Sequence, residues 1–141
     1  MIKILKSVYQ CIVENIPLVP PETGGILGLD DRNIITEYFC DAGIGNNDYS
    51  YTPDIKRLNE IVCLWSCRDI KLAGIFHSHT EYDTSLSLKD IEYIKTILSS
   101  LNEITSELFF PIVFPRLKIV FFKAKMINSN VIILEEKFIC I

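Results

Sequence analysis

One apolar stretch that ends in two closely spaced histidines constrains this chain more than any other feature. Residues 72–76 are apolar and lead directly into His77 and His79, the only histidines in the 141-residue sequence. Such a run is typical of a buried strand, in which side chains two residues apart project from the same face. Both imidazoles can therefore be directed at one point at the end of this strand.

A serine and an aspartate follow at the start of a helical pattern. Ser87 and Asp90 are three residues apart and so share a face of the predicted helix. A catalytic zinc ion usually has three protein ligands and one open position for water. His77, His79 and Asp90 form such a set, and we expect one zinc ion per chain at this place.

Hydrolysis at such a site also needs a base that accepts a proton from water and passes it to the leaving group. Glu22 is the best candidate in the sequence, because it comes just before Gly24, Gly25 and an apolar segment that can pair with the histidine strand. Glycines allow a neighbouring backbone to approach closely. We therefore expect Glu22 to reach the histidines.

The periodicity of the chain indicates helices interleaved with strands. Helical spacing predicts helices over residues 5–15, 53–68 and 87–101. Strands are predicted over residues 1–4, 26–29, 34–40, 49–51, 71–77, 109–114, 118–126 and 131–139. Helices alternating with strands, together with a hairpin near the end, predict an α/β sandwich with a mixed sheet, in one domain spanning residues 1–141.

Composition argues against several classes of partner. The chain is 49% hydrophobic and 23% charged, which is typical of a folded globule. Its net charge of −4 gives no reason to expect nucleic acid as a partner. No apolar run approaches the ~20 residues that span a bilayer. We see no signal peptide, and so we expect no membrane association and a cytoplasmic location.

The cysteines are five in number and scattered. Cys63 and Cys67 share a predicted helix face and could form half of a metal site, but no second pair completes it. We expect all five to be reduced and those two to be ordinary buried thiols.

The spacing of the candidate residues resembles a known motif. The pattern Glu22 … His77-x-His79-x7-Ser87-x2-Asp90 is similar to the JAMM motif of the MPN/JAB metalloprotease family. The Glu-Thr-Gly-Gly-Ile-Leu-Gly stretch resembles the small prokaryotic JAB branch of that family, and the likeness extends over about residues 4–126. It implies an MPN/JAB-like, deaminase-like sandwich.

The resemblance also implies an activity and a role for each residue. The activity is that of a zinc isopeptidase, which removes ubiquitin-like proteins from lysine conjugates or processes their C-terminal tails. His77, His79 and Asp90 would bind the zinc ion, Glu22 would be the general base and acid, and Ser87 would donate a hydrogen bond to the oxyanion. The implied partners are a ubiquitin-like protein or its conjugates and an E1-like activating enzyme encoded nearby.

Two features depart from the family pattern. Thr80 stands where the family commonly has proline, which affects the geometry of the loop after the histidines. The chain also has no room for the insertions that let some members grip two linked ubiquitins. Linkage-specific cleavage of polyubiquitin is therefore not expected.

Other interpretations remain open at this stage. The Ser87-x-x-Asp90 pattern is also that of a capping box, a structural role compatible with catalysis. Glu81 and Asp83 could compete as metal ligands, although a solvated rim is the expected role of both. The chain could also be a non-catalytic scaffold or binding module, or a JAMM-type hydrolase of a sulfur-carrier adduct or a small peptide.

Overall fold

A computed structural model describes residues 1–18, 22–44, 51–79, 86–100 and 105–141 of the chain. Within these ranges there are nine strands and three helices. Their order is β1 (Ile2–Ile4), α1 (Lys6–Asn15), β2 (Gly24–Leu29), β3 (Ile34–Asp41), α2 (Ile55–Ser66), β4 (Lys71–Ser78), α3 (Leu88–Ser100), β5 (Glu107–Phe109), β6 (Ile112–Phe114), β7 (Lys118–Ile127), β8 (Asn130–Glu136) and β9 (Phe138–Cys140).

These strands form one mixed sheet, as the sequence predicts. Its centre is the antiparallel run of β3, β2 and β4. On the far side of β4 lie β5 and β6, both parallel to it, and then β7 and β8. On the other side, β3 is followed by β1 and β9, again in parallel. The sheet therefore combines an antiparallel centre with parallel pairings on both sides.

One continuous segment borders both ends of this sheet. β8 pairs with β7 at one end, and β9 begins after Lys137 and pairs with β1 at the other. β8 pairs with β7 only from Phe121 onwards. The amide of Ile119, just before that point, donates to the hydroxyl of Tyr9 on α1, with an N···O distance of 3.2 Å. The sheet thus curls around α1. Tyr9 lies next to the point where β8 stops pairing with β7, and we call this point the seam.

The helices occupy both faces of the sheet. α1 packs on one face, in a cluster with buried side chains from the central strands β2 and β4 and from β7, including Leu27, Phe76 and Phe121. α2 and α3 pack on the other face, against Ile26 and Ile75 among others. Neighbouring residues of β2 and β4 are thus buried on opposite sides, which explains why these central strands are apolar throughout.

Two predicted strands are each divided in the structure. The predicted strand 109–114 is β5 and β6, separated by Phe110 and Pro111. Proline lacks the amide that a ladder needs, which accounts for the break. The predicted strand 131–139 is β8 and β9, separated at Lys137 where the chain changes partner. Of the predicted strand 49–51, the first two residues lie outside the described ranges and Tyr51 is not in a strand.

The helices differ from expectation mainly at their first turns. α2 is predicted to begin at Pro53 after a Thr52 cap, but the cap is Asp54, whose carboxylate accepts a hydrogen bond from the Arg57 amide. The helical pattern predicts that Leu88 lies on the buried face of α3, but it is 82% exposed. No helix in the described ranges is both long enough and apolar enough to cross a membrane.

The seam yields a stability prediction. Tyr9→Phe should lower the free energy of unfolding by about 1–3 kcal/mol, because the buried amide of Ile119 loses its acceptor. Denaturant unfolding measures this change. The control is Leu117→Ala, which truncates an exposed side chain nearby and should leave the free energy of unfolding within about 0.5 kcal/mol of wild type. Equal stability of Tyr9→Phe and wild type would show that the phenol does not support the seam.

Candidate metal centre

The end of β4 sets the direction of both histidines. The amide of His77 donates to the carbonyl of Pro111 (3.2 Å), and that of His79 donates to the carbonyl of Val113 (3.0 Å). These bonds hold the extended backbone of β4 beside β6 beyond the last strand residue. Because side chains alternate in a strand, both imidazoles lie on the face that also carries Ile75 and α3.

The pairing of β2 with β4 brings Glu22 to the same place. Gly24 pairs with His77, and an amide-to-carbonyl hydrogen bond of 2.7 Å links the next residue pair. Continuing this register places Glu22 opposite His79, on the same face of the sheet. The prediction that the strand after Glu22 runs beside the histidine strand is therefore confirmed.

The first turn of α3 supplies the third candidate ligand. The amide of Ser87 donates to Oδ2 of Asp90 (3.0 Å), and the amide of Asp90 donates to Oγ of Ser87 (3.1 Å). These two bonds form the reciprocal capping box that the spacing predicts. The carboxylate of Asp90 thus caps the first turn of α3 and also faces both histidines.

The three candidate ligands match the dimensions of a zinc site. Nε2 of His77 lies 3.0 Å from Nε2 of His79 and 3.2 Å from Oδ1 of Asp90, and Nε2 of His79 lies 3.4 Å from Oδ2 of Asp90. Tetrahedral zinc with bonds of about 2.0–2.1 Å separates its ligand atoms by about 3.3 Å. The donor set and its spacing are therefore compatible with one zinc ion.

The charges of the two carboxyl groups are influenced by these same neighbours. Burial raises the pKa of Asp90, but hydrogen bonds from His77 and His79 outweigh it and hold that pKa well below the ordinary range. Burial raises the pKa of Glu22 above its ordinary value, although His79 and His77 partly oppose this. Asp90 is thus ionised at neutral pH, as a candidate metal ligand must be, and Glu22 has the higher proton affinity expected of a base.

Two aromatic side chains, which the sequence does not predict to be near the histidines, lie against residues of the candidate site. The ring of Phe114 meets the ring of His79 edge-on, with centroids 6.0 Å apart. The ring of Tyr51 lies over Gly24, where a Cβ would overlap it. Neither residue belongs to a recognisable pattern in the sequence, since their relation to the histidines depends on strand register and long-range packing.

No competing metal site is formed by the described residues. His77, His79 and Asp90 are their only group of three or more potential ligands lying close together. Cys63 and Cys67 are free thiols but are exposed, so the expectation that they are buried is wrong. Thr80, Glu81 and Asp83 lie outside the described residues.

Comparison with known proteins places this architecture among solved folds. The first match is the solution structure of a protein from Desulfitobacterium hafniense, with a TM-score of 0.66, 18% identity, and coverage of 99% of this chain and 92% of that one. A second is a protein from Salinibacter ruber, with a TM-score of 0.54, 13% identity, and coverage of 98% and 90%. No known family profile matches the sequence, and no curated protein does so. At these identities the likeness concerns the fold alone.

The geometry predicts stoichiometric metal binding. Zinc should bind metal-free protein at about one ion per chain and raise the free energy of unfolding by about 2.7 kcal/mol at a hundred times the dissociation constant. His77→Ala should abolish both effects because it removes one of three ligands. Elemental analysis and thermal unfolding with and without zinc measure them.

A matched control uses Cys63 and Cys67, whose spacing on α2 is that of half a metal site. The combined variant Cys63→Ser and Cys67→Ser should bind zinc as wild type does, because both thiols are exposed on α2. Loss of zinc from this variant, or retention of it by His77→Ala, would contradict the assignment.

Proposed function

We propose that this protein is a zinc-dependent isopeptidase or peptidase of the JAMM type, with an MPN/JAB-like fold, acting at the C-terminal tail of a ubiquitin-like protein in the cytoplasm. The observation that carries the proposal is the convergence of three elements on one point. The end of β4 contributes His77 and His79, the start of α3 contributes Asp90, and the approach to β2 contributes Glu22.

The ligand set supports metal-assisted hydrolysis. A zinc ion held by His77, His79 and Asp90 would lower the pKa of a water molecule and polarise the carbonyl of the bond to be cleaved. Asp90 suits this role because it is ionised at neutral pH and fixed by its capping bonds. Two neutral imidazoles and one carboxylate are a common ligand set in zinc hydrolases.

Glu22 is suited to move the proton. Its position on the same face as His79 lets its carboxylate accept the proton of the attacking water and deliver it to the leaving amine. Burial raises its pKa, which brings its proton affinity closer to that needed at neutral pH. A fully exposed glutamate would be a weaker base.

Ser87 is suited to stabilise the transition state. Its oxygen accepts a hydrogen bond from the Asp90 amide, so its own proton can be donated elsewhere. It lies beside Asp90 at an exposed helix start, where a substrate carbonyl can approach. A hydroxyl directed at a developing negative charge can contribute about 3 kcal/mol to catalysis.

Two variants separate metal binding from proton transfer. The probe is a ubiquitin-like protein that carries a fluorophore in amide linkage at its C-terminus, incubated with zinc-loaded enzyme. Glu22→Gln should retain zinc and lose at least about a hundredfold in kcat, because only the base is removed. His77→Ala should lose zinc and activity together.

The control is Glu14→Gln, a glutamate exposed on α1. It should cleave at the wild-type rate. Wild-type activity in Glu22→Gln would exclude Glu22 as the base, and absence of cleavage by zinc-loaded wild type would instead favour a scaffold or another substrate.

A further prediction concerns Ser87. Ser87→Ala should lower kcat by about 10²–10³-fold with little change in KM, if its hydroxyl acts only in the transition state. It should also cost about 1 kcal/mol of stability through loss of the cap.

Ser87→Asp separates these two effects, since aspartate caps helices well but is an acceptor when ionised. It should restore stability without restoring kcat. Recovery of kcat along with stability would show that Ser87 serves the helix alone.

A further inference from the structure

A buried carboxylate lies across Gly24 from the candidate ligand His77. Asp41, the last residue of β3, is 8% exposed. Its Oδ1 accepts from the Gly43 amide (3.1 Å), and its Oδ2 accepts from the Tyr51 hydroxyl (2.7 Å) and the Asp54 amide (3.0 Å). In the described ranges no lysine, arginine or histidine forms an ion pair with it. Three donors thus hold Asp41, and Asp41 in turn holds Tyr51.

The register of the sheet brings the Tyr51 ring close to the first metal ligand. Gly24 pairs with Asp41 on one side and with His77 on the other. The ring of Tyr51 lies where a Cβ on Gly24 would be. Directly opposed residues have Cβ positions about 4.5–5.5 Å apart, so a ring at this place lies on the same face of the sheet as the His77 side chain and next to its position. Gly24 is therefore the gap that admits Tyr51 between Asp41 and His77.

A second buried phenol lies on α3. Tyr93 lies one turn after the ligand Asp90, and its hydroxyl is buried without a hydrogen-bond partner among the described residues. Burial, and next Asp41, raise the pKa of Tyr93. Burial, and next the hydrogen bond to Asp41, raise the pKa of Tyr51.

We propose that Tyr51, held by Asp41, is a positioning residue for the metal ligand His77. A rigid ring beside the imidazole limits its rotation, so that Nε2 faces His79 and Asp90 before the ion arrives. Such preorganisation lowers the conformational cost of binding, as partners that orient metal ligands generally do. The inference rests on the proposed metal-dependent function and adds a residue that no part of the motif contains.

Cobalt binding tests this role directly. Co²⁺ can replace Zn²⁺ as a probe, and its visible absorption reports the geometry of its ligands. Tyr51→Phe keeps the ring but loses the bond to Asp41, so it should bind Co²⁺ about tenfold more weakly and change the absorption spectrum. Denaturant unfolding of each variant reports whether it is folded.

The matched control is Tyr9→Phe, which also removes one hydroxyl hydrogen bond but lies on the other face of the sheet. It should lose stability while keeping the wild-type affinity and spectrum. A merely structural role for Tyr51 would make the two variants behave alike, with unchanged cobalt binding, and would overturn the proposal.

Two further outcomes complete the test. If Tyr51→Phe does not fold, Asp41→Asn, which keeps an acceptor for the Gly43 amide, is judged by the same affinity and spectrum, and wild-type values would overturn the proposal. If wild type itself takes up no Co²⁺ or Zn²⁺, the proposed function fails and this inference fails with it. Normal binding by wild type and Tyr51→Phe alike would remove only the positioning role.

Discussion

The pairing of β2 with β4 is the constraint on which the rest of the candidate site depends. Gly24 and Gly25 lie opposite His77 and Phe76, and a Cβ at Gly25 would overlap the carbonyl of Phe39 and the ring of Phe76. Because both glycines lack a side chain, β2 fits between β3 and β4, and the rings of Tyr51 and Phe76 pack against it. A slip of one residue would move Glu22 to the opposite face, away from the histidines.

Helix formation and ligand placement are coupled at the start of α3. Asp90 accepts the Ser87 amide and also lies within 3.4 Å of an imidazole nitrogen of each histidine. Because the pKa of Asp90 is lower in the folded protein than in the unfolded chain, these interactions stabilise the folded protein at any pH above the ordinary carboxyl pKa. This contribution to stability is lost as the pH falls from the ordinary carboxyl pKa towards the lowered pKa of Asp90. The same carboxylate thus links the order of the helix to the state of the site.

Much of the fold and the candidate site could be predicted from local signals. The spacing of His77 and His79 at the end of an apolar run, and the capping pattern of Ser87 and Asp90, each lie within a few residues of sequence. These segments fold largely as their periodicity indicates. Glu22 needed one long-range assumption, that its strand pairs with the histidine strand, and the glycines that follow it supported that assumption.

What could not be predicted depends on contacts between distant parts of the chain. The local sequence predicts a strand at Tyr51, and nothing near it in the sequence indicates that its ring lies over Gly24 and that its hydroxyl donates to Asp41. The apolar run after Asn130 has the periodicity of one strand, and only the curvature of the sheet shows that Lys137 divides it between two partners. Register and curvature are properties of the assembled sheet, and short sequence windows do not contain them.

The pairing of the first strand, β1, with the last, β9, has a consequence for how this chain folds. The strands that carry the candidate ligands and base, β2 and β4, are neighbours separated by residues 30–70, whereas β1 meets β9 only after more than a hundred intervening residues. Closing so long a loop carries an entropic cost and slows folding. We expect β2, β4 and the helices over them to assemble before β9 joins β1, so that a nascent chain acquires the geometry of its candidate metal centre before its sheet is complete.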